Sequence, residues 1–444
     1  MRFPFSCRPR GLLRICLWSA TAWVCSPLSA QSLPPTLTFE QALQAATTQS
    51  QRVVAAQAQT LAARERLPAA GQWPDPVLTF GVNDLPVTRP DRFSLTRDSN
   101  TQRSIGVSQE WTRADKRQAR TERAQHEVEA ALIAQRSALI TLQRETALAW
   151  LDRSLQGDLR ALLQAQLAQA EQQAEAAQTL YRNGKGAQAD VYLARGEVEQ
   201  QRDRIAQVDR QIAVTTTRLA RWIGDGAAQP LGPRPDVVLP AWLHGDLAGH
   251  LARHPNIATS VQQQAIAESE VALARAAKQA DWTVELSYSQ RGAAYSNQLS
   301  LNLSVPLQLD PANRQDRELA ARLAEVERAR AERADLQREH EAEVRTMLQE
   351  WRSADERAHR YDGTLLPLAE QRSAAALSAY RAGTGSLTLL FDARRGEVDA
   401  RIERLRIEMD RARLWAQLNF LLPSDEPSEA IAHVNTSNAV RPAP

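Results

Sequence analysis

The histidines and carboxylates of this 444-residue sequence are the first groups to test for chemistry. His250 and His254 lie four residues apart, the spacing that places two metal ligands on one face of a helix. Pro255 follows directly and disturbs the helix they would share, so we expect no metal site there. Glu356 and His359 form a lone E-x-x-H motif, whereas a di-iron bundle needs two such motifs and further carboxylates. Surface charge is the better interpretation of that pair.

Sulfur ligands and catalytic motifs are also missing from the sequence. All three cysteines fall within the first thirty residues, and the only methionines are Met1, Met347 and Met409. No phosphate-binding glycine loop, G-x-S-x-G or H-E-x-x-H motif is present. The sequence therefore predicts no catalytic site, no cofactor and no metal site, and an enzyme is the weakest of the functional classes.

Residues 1–30 have the pattern of a secretory signal peptide. Four arginines without any acidic residue precede and enter a short apolar run, and Ser29-Ala30 offers a small-residue cleavage site. Cys25 follows Ala22-Trp23-Val24, a poor match to a lipoprotein site. Without this segment the chain keeps 50 basic and 52 acidic residues, so its net charge is near −2. That balance disfavours a nucleic-acid partner.

Two glycine pairs divide long helical patterns. Tyr181-Arg182-Asn183-Gly184-Lys185-Gly186 is followed about two hundred residues later by Tyr380-Arg381-Ala382-Gly383-Thr384-Gly385. Glycine costs about 1 kcal/mol in a helix interior, so each pair marks a tight turn between two antiparallel helices. The recurrence predicts a two-fold internal repeat. The first repeat spans residues 36–223 with its tip at 181–190, and the second spans 244–422 with its tip at 380–389.

The rest of each repeat follows the same order. A helix from Thr38 precedes two strands, and a run of some seventy residues then reaches the first tip, with a capping-box pattern at Thr112. In the second half, Asp310-Pro311 has the pattern of a helix start, and an equally long run reaches the second tip. Residues 224–243 are rich in Gly and Pro and form a linker, and 423–444 are predicted to be a disordered tail. The expected fold is mainly α, with long antiparallel coiled-coil helices and a small β part.

Four segments alternate with period two, which predicts strands at about 76–83, 103–111, 282–290 and 297–306. One face of each strand is polar and the other is apolar. Because the sequence offers no second β layer and the helices pair with one another, we expect the apolar face to contact lipid. The predicted lipid-facing residues are Leu78, Phe80, Val82, Ile105, Val107, Val284, Leu286, Leu299, Leu301 and Leu303.

Four strands cannot close a barrel, and lipid does not tolerate open strand edges. Three copies would supply twelve transmembrane strands around a polar lumen. Trp73, Trp111, Trp282 and Tyr288 fall where an interfacial aromatic belt is expected. A small sheet that packs on its own helices is the alternative that the residues leave open.

This order of elements resembles the TolC-like outer-membrane efflux proteins over about residues 36–422. The most specific parts are the two tips, at residues 181–197 and 380–397. The segments 81–86, 91–96, 105–107 and 281–286 are similar to the heavy-metal branch of that family, found in copper/silver and cobalt-zinc-cadmium systems. The resemblance implies a homotrimer in the cell outer membrane, with a periplasmic helical part. It also implies a periplasmic adaptor (membrane fusion) protein and an inner-membrane, proton-driven pump of the RND type.

The same resemblance implies roles for the tips. Adaptor contacts would fall at Tyr181, Gly184, Gly186, Tyr380, Gly383 and Gly385. Family tips often carry acidic residues that narrow the entrance, and Asp190 and Asp392 stand at such positions here. They are not equivalent, because Leu389 matches Asp190 by register. The alternative is that both aspartates cap the return helices.

The expected function is passive conduction of substrate, heavy-metal cations in the first place, handed over by a pump and its adaptor. An exit channel for drugs or for a protein secreted by a type I system is an alternative with the same fold. A soluble periplasmic coiled-coil scaffold is an alternative of another class.

Overall fold

The computed structural model describes residues 36–423. The predicted signal peptide and all but the first residue of the predicted tail lie outside this range. The elements follow in chain order and are α1 (Phe39–Gln49), α2 (Gln51–Ala70), β1 (Val77–Asn83), β2 (Gln102–Trp111), α3 (Ala114–Arg182), α4 (Gln188–Ile223), α5 (Leu247–Leu251), α6 (Pro255–Ala276), β3 (Trp282–Gln290), β4 (Gln298–Ser304), α7 (Gln315–Arg360), α8 (Leu366–Arg381) and α9 (Leu387–Asn419).

The predicted fold class, mainly α with a small β part, is confirmed. Helices α2 and α4 both pack on α3, which has 69 residues and is therefore about 100 Å long. In the second half, α6 and α9 pack on α7 in the same way. Each repeat therefore has one long run of helix with two shorter helices beside it. Helices α3 and α6 are also in contact, which joins the two repeats side by side.

The four strands form one antiparallel sheet in the order β1-β2-β3-β4. The central pair, β2 and β3, joins the two repeats, with Trp111 opposite Trp282 and Ile105 opposite Tyr288. β4 ends at Ser304, two residues before the predicted end of the fourth strand. Strands β1 and β4 are the two edges of the sheet, and within residues 36–423 neither outer edge is paired.

The apolar core lies where α1, α3, α4 and α9 meet. Phe39 packs edge-on against Trp150, with ring centroids 5.5 Å apart, and also contacts Trp415 at 5.9 Å. Trp150 is fully buried, and its Nε1 donates to the Leu37 carbonyl oxygen. Trp415 Nε1 donates to the carbonyl oxygen of Val238, which ties the linker to the core. The linker itself contains 3-10 turns at Gly224–Ala228 and Ala241–His244.

Several predicted helix boundaries differ in the structure. The helix predicted from Thr38 begins with the expected capping box, but Ser50 breaks it and caps α2. Thr112 does not cap α3; its hydroxyl donates to Glu110 instead. Asp310 does not begin α7, since it accepts the backbone N–H of Asn313 in a turn and α7 starts at Gln315.

The second long run is also not a single α-helix. A π-helical turn at Tyr361–Leu365 separates α7 from α8, and Pro367 follows in the first turn of α8. Proline lacks the backbone N–H that would continue an α-helical ladder, so a wider turn accommodates it. Arg404 of α9 contacts this turn. Its guanidinium donates to both carboxylate oxygens of Asp362, at 2.7 and 2.8 Å.

Candidate functional site

All ten predicted lipid-facing residues lie on one face of the sheet. The register places Phe80, Ile105, Tyr288 and Leu299 in one cross-strand row and Leu78, Val107, Leu286 and Leu301 in the next. Val284 and Leu303 continue the face toward the helices, and Val82 lies at its far end. Leu299 and Leu301 are both 72% exposed, although they are large and apolar. Among residues 36–423, no second layer covers this face.

The opposite face of the sheet is polar. It carries Ser108, Glu285 and Asn302 in one row, and Thr79, Gly106, Ser287 and Ser300 in the next. A Cβ atom at Gly106 would lie 3.0 Å from Ser287 Cβ, so the glycine permits close packing of the central strands. The two faces differ sharply in polarity, as expected for a sheet with one apolar and one aqueous environment.

Aromatic residues lie at both ends of the apolar face. Trp111 and Trp282 are cross-strand neighbours at the end that faces the helices, and the Trp73 ring lies 4.3 Å from the Trp111 ring. Tyr288 lies near the other end of β3. The predicted aromatic positions are therefore split between three tryptophans at one end and one tyrosine toward the other.

A buried ion pair joins the sheet to the long helix. Lys116 Nζ lies 2.7 Å from Asp281 Oδ2, and the Arg113 backbone N–H donates to Asp281 Oδ1. Burial raises the pKa of Asp281, but the hydrogen bonds from Lys116 and Arg113 lower it by more, so the net pKa lies below its usual range. Sequence reasoning missed this pair because its partners are 165 residues apart.

The two tips are built alike. Gly184 and Gly383 have φ values of 70° and 73°, a left-handed conformation that favours glycine. The backbone N–H of Lys185 donates to the Leu180 carbonyl, and that of Thr384 donates to Ala379 in the same way. These bonds satisfy carbonyls at the helix ends.

The second glycine of each tip is needed for a different reason. At Gly186 a Cβ would lie 3.2 Å from the Leu180 side chain, and at Gly385 it would lie 3.0 Å from that of Ala379. A side chain at either site would therefore be in tight contact with the preceding helix, and its neighbours would have to shift slightly. In each tip the first glycine has a left-handed backbone conformation, and the second lies close to the end of the preceding helix. These two requirements explain the spacing of the glycines.

The tips pack against each other unequally. Ala177 and Ala194 of the first hairpin share a buried cluster with Leu387 and Leu390 of the second, and Tyr380 packs against it. Tyr181 is 42% exposed. The two tyrosines predicted to contact the adaptor are therefore not equivalent, since Tyr380 already packs against residues of its own chain.

Neither candidate gate residue caps a return helix. Ala187 and Ser386 are the N-cap residues of α4 and α9. Asp190 lies in the first turn of α4, where a carboxylate is stabilised by the helix dipole. Burial, and then the nearby charge of Asp190, raise the pKa of Tyr380 in the second tip. Asp392 lies one turn further along α9 and is exposed.

Polar contacts between the hairpins lie just behind the tips. Arg395 Nη2 is 3.4 Å from Glu197 Oε2, and Arg394 Nη1 donates to Gln169. Burial lowers the pKa of Arg394 from its usual value. Sequence reasoning missed these contacts, although Glu197, Arg394 and Arg395 all lie in the two tip segments, residues 181–197 and 380–397.

A further set of ion pairs surrounds the middle of the helical body. Arg234 of the linker pairs with Asp158 of α3 and, at 2.7 Å, with Glu408 of α9. Arg413 of α9 lies 2.7 Å from Asp152 of α3. The linker is therefore fastened to both hairpins. The partners are 76 to 261 residues apart, so no local pattern could have revealed them.

The histidines form no metal site within the described residues. His254 Nδ1 accepts the backbone N–H of Asn256 and so caps α6, and its ring lies 4.3 Å from that of His340. Burial, then the nearby His340 and Arg144, lower the pKa of His254 to about 4. His359 interacts with Asp355 on the exposed surface. Between residues 36 and 423 no group of three His, Cys, Asp or Glu side chains could hold a metal ion. No helix in the same range is long and apolar enough to span a bilayer.

Comparison with solved structures identifies proteins of the same fold. The outer membrane protein VceC of Vibrio cholerae superposes with a TM-score of 0.74 at 17% identity, covering 87% of this chain and 97% of VceC. The CmeC outer membrane channel of Campylobacter jejuni gives 0.74 at 12% identity and covers 89% and 88% of the two chains. CusC, whose structure shows transmembrane channel formation, gives 0.73 at 16% identity, with 88% and 93% covered.

Comparison with curated protein sequences gives no match. The family profile described as "Outer membrane efflux protein" matches residues 42–225 and 249–423, which include both sets of helices, all four strands and both tips. The chain therefore belongs to the outer membrane efflux protein family, and it is an outer-membrane channel protein with a helical periplasmic part rather than an enzyme or a soluble scaffold.

Proposed function

We propose that three copies of this chain form the exit channel of a tripartite efflux system. The observation that carries the proposal is a four-stranded sheet whose apolar face is uncovered and whose edge strands β1 and β4 are unpaired within the described residues. In a bilayer, unpaired backbone groups cost several kcal/mol each, so the edges must pair with other chains.

The strand directions allow this pairing. Successive strands of the sheet are antiparallel, so β4 of one copy runs opposite to β1 of the next. Three copies close twelve strands, an even number that leaves room for a water-filled lumen. The face with Phe80, Leu286 and Leu301 then meets lipid, and the face with Glu285 and Asn302 lines the lumen.

The tips are the proposed contacts for a periplasmic adaptor. They lie at the end of the helical body farthest from the sheet, because α3 runs from β2 to the first tip and α8 ends at the second. Tyr192, Leu193 and Leu389 near the tips are 62, 41 and 50% exposed. Exposed apolar side chains beside the glycine turns suit a protein partner. The adaptor would connect the channel to an inner-membrane pump of the RND type.

Heavy-metal cations are the proposed cargo. The proposal rests on the resemblance of residues 81–86, 91–96, 105–107 and 281–286 to the heavy-metal branch of the family. Asp190 and Asp392 are the proposed entrance gate, since each places a carboxylate near a tip. The channel itself would conduct passively. Drugs, or a protein exported by a type I system, are the alternative cargoes.

Two measurements test the proposal. The purified full-length protein should have the mass of a trimer in detergent and should give stable conductance steps in planar bilayers; a monomer without conductance would refute the channel. Deletion of the gene should sensitise cells to copper, silver, cobalt, zinc or cadmium salts and not to dyes or detergents. Sensitivity to dyes alone, or loss of one secreted protein, would refute the metal cargo and leave the channel intact.

A further inference from the structure

A recess of about 700 Å³ opens on the apolar face, where the sheet meets the helices. Its floor is formed by Trp111, Trp282 and Val284, and its rim by residues 113–115 at the start of α3. Trp111 and Trp282 are 54 and 55% exposed. The recess belongs to the central strands β2 and β3, so pairing of the edge strands with other copies would leave it open to the membrane.

The rim carries one cation and one anion with unused hydrogen-bonding groups. Arg113 Nε lies 3.4 Å from Asp115 Oδ1, and both side chains are 44% exposed. The same Oδ1 accepts the backbone N–H of Lys116. Within residues 36–423, the two terminal nitrogens of Arg113 and Oδ2 of Asp115 have no partner.

The neighbouring charged residues Lys116, Asp281 and Arg117 do not line the recess. Lys116 and Asp281 are bound to each other at 2.7 Å, and the guanidinium of Arg117 lies over the Trp73 ring at 5.4 Å. The charged residues that line the recess are Arg113 and Asp115, so these are the charges that a ligand there can meet. A suitable ligand has an apolar part for the tryptophan floor, an anionic group for Arg113 and a hydrogen-bonding cation for Asp115.

We propose that this recess binds a phospholipid of the inner leaflet with a phosphoethanolamine headgroup. The phosphate accepts hydrogen bonds from the Arg113 guanidinium, and the primary ammonium donates to Asp115 Oδ2. One acyl chain lies over Trp111, Trp282 and Val284, at the level where aromatic residues meet the membrane interface. A phosphatidylglycerol headgroup would satisfy Arg113 but would bring no cation to Asp115.

The proposal rests on the proposed function, because the recess meets lipid only if this face of the sheet does. The test uses the full-length protein in mild detergent, mixed with equal amounts of phosphatidylethanolamine and phosphatidylglycerol, and counts lipids bound to intact trimers by native mass spectrometry. Wild type should retain phosphatidylethanolamine about fivefold more than phosphatidylglycerol, a preference worth about 1 kcal/mol. Equal retention would overturn the proposal.

Two variants assign the headgroup contacts. Asp115→Asn should abolish the preference between the lipids while retaining both, and Arg113→Gln should weaken retention of both about fivefold. Arg97 and Asp91, an exposed ion pair in the loop beyond the opposite end of the sheet, provide the matched control, with Arg97 Nε 3.7 Å from Asp91 Oδ1. Arg97→Gln and Asp91→Asn should leave both the lipid ratio and the retention of each lipid unchanged.

Other outcomes separate the two proposals. The same loss of preference in Asp91→Asn, or the same loss of retention in Arg97→Gln, would show non-specific lipid binding and overturn the recess. An unchanged lipid ratio in Asp115→Asn, or unchanged retention of both lipids in Arg113→Gln, would also overturn it. Trimer mass and conductance would then remain evidence for the channel. A wild-type protein that forms no trimer would instead contradict the proposed function, independently of the lipid ratio.

Discussion

Lys116 Nζ lies 2.7 Å from Asp281 Oδ2, and this contact joins the two repeats where the long helix leaves the sheet. The side chains are only 9% and 19% exposed, and the Arg113 backbone N–H supplies a second hydrogen bond to Asp281. The pair therefore fixes the direction of α3 relative to β3. Its partial burial makes the loss of one partner costly.

Removal of Asp281 should destabilise the protein more than removal of a similar exposed partner. Asp281→Ala leaves the Lys116 ammonium unpaired and should lower the free energy of unfolding by about 3 kcal/mol. Asp316→Ala is the control, because Lys278 and Asp316 are also 2.7 Å apart but are 42% and 46% exposed. It should cost less than about 1 kcal/mol. Denaturant unfolding in detergent measures both, and equal losses would contradict the importance of burial.

The stability of the helical body should decrease with acidification between pH 6.5 and 4. The pKa of buried His254 is about 4 in the folded protein, against about 6.5 in an unfolded chain. The unfolded chain therefore binds more protons in this window, and the folded state loses up to about 3 kcal/mol as the pH falls through it. Above pH 6.5 this contribution is constant.

His254→Asn isolates the contribution, because asparagine also caps helices well and does not titrate. Melting temperatures should depend less on pH in the variant than in wild type between pH 6.5 and 4. An identical pH dependence in both proteins would show that other groups control acid stability.

Substitution of the first glycine of each tip should destabilise the protein, because that residue has a left-handed backbone conformation. Gly184→Ala and Gly383→Ala place a Cβ in the left-handed region and should each cost about 1 to 2 kcal/mol. Gly157→Ala in α3 is the opposite control, since nothing lies within 4 Å of its Cβ position. It should stabilise the protein by about 1 kcal/mol. A stabilising effect of the tip substitutions would contradict the turn geometry.

A charge on the apolar face of the sheet should impair membrane assembly. Leu301→Lys lies in the middle row of that face and should cost about 3 kcal/mol if the face meets lipid. Asn302→Lys, the next residue on the opposite face, should assemble normally. The amount of trimer in the outer-membrane fraction distinguishes them. Comparable loss in both variants would contradict the assignment of the two faces.

The proposed gate should affect ion selectivity. Asp190→Asn combined with Asp392→Asn removes two carboxylates per chain from the entrance, so the ratio of cation to anion permeability should fall. The matched control is Asp203→Asn, which lies on α4 well behind the tip. Reversal potentials in a salt gradient measure the ratio. An unchanged ratio in the double variant would exclude these residues from the gate.

Local patterns in the sequence were sufficient to predict the fold class. Alternation of Leu78, Phe80 and Val82 predicts a strand because side chains on a strand point to opposite faces in turn, and the structure has β1 there. The glycine pairs predict the tips because backbone conformation at Gly184 and Gly383 depends on the residue itself. Gly363 and Pro367 also indicate locally that the helix is interrupted between α7 and α8. The prediction of an uninterrupted run to the second tip did not use that signal.

The tertiary structure decided which distant groups meet. Lys116 pairs with Asp281 across 165 residues, and Arg394 donates to Gln169 across 225 residues. Neither contact leaves a periodic or local pattern, since each depends on how the repeats pack side by side. The recess between Trp282 and Arg113 has the same origin. Hydrophobic periodicity specifies each element, whereas charge pairing and recesses arise only when the elements are brought together.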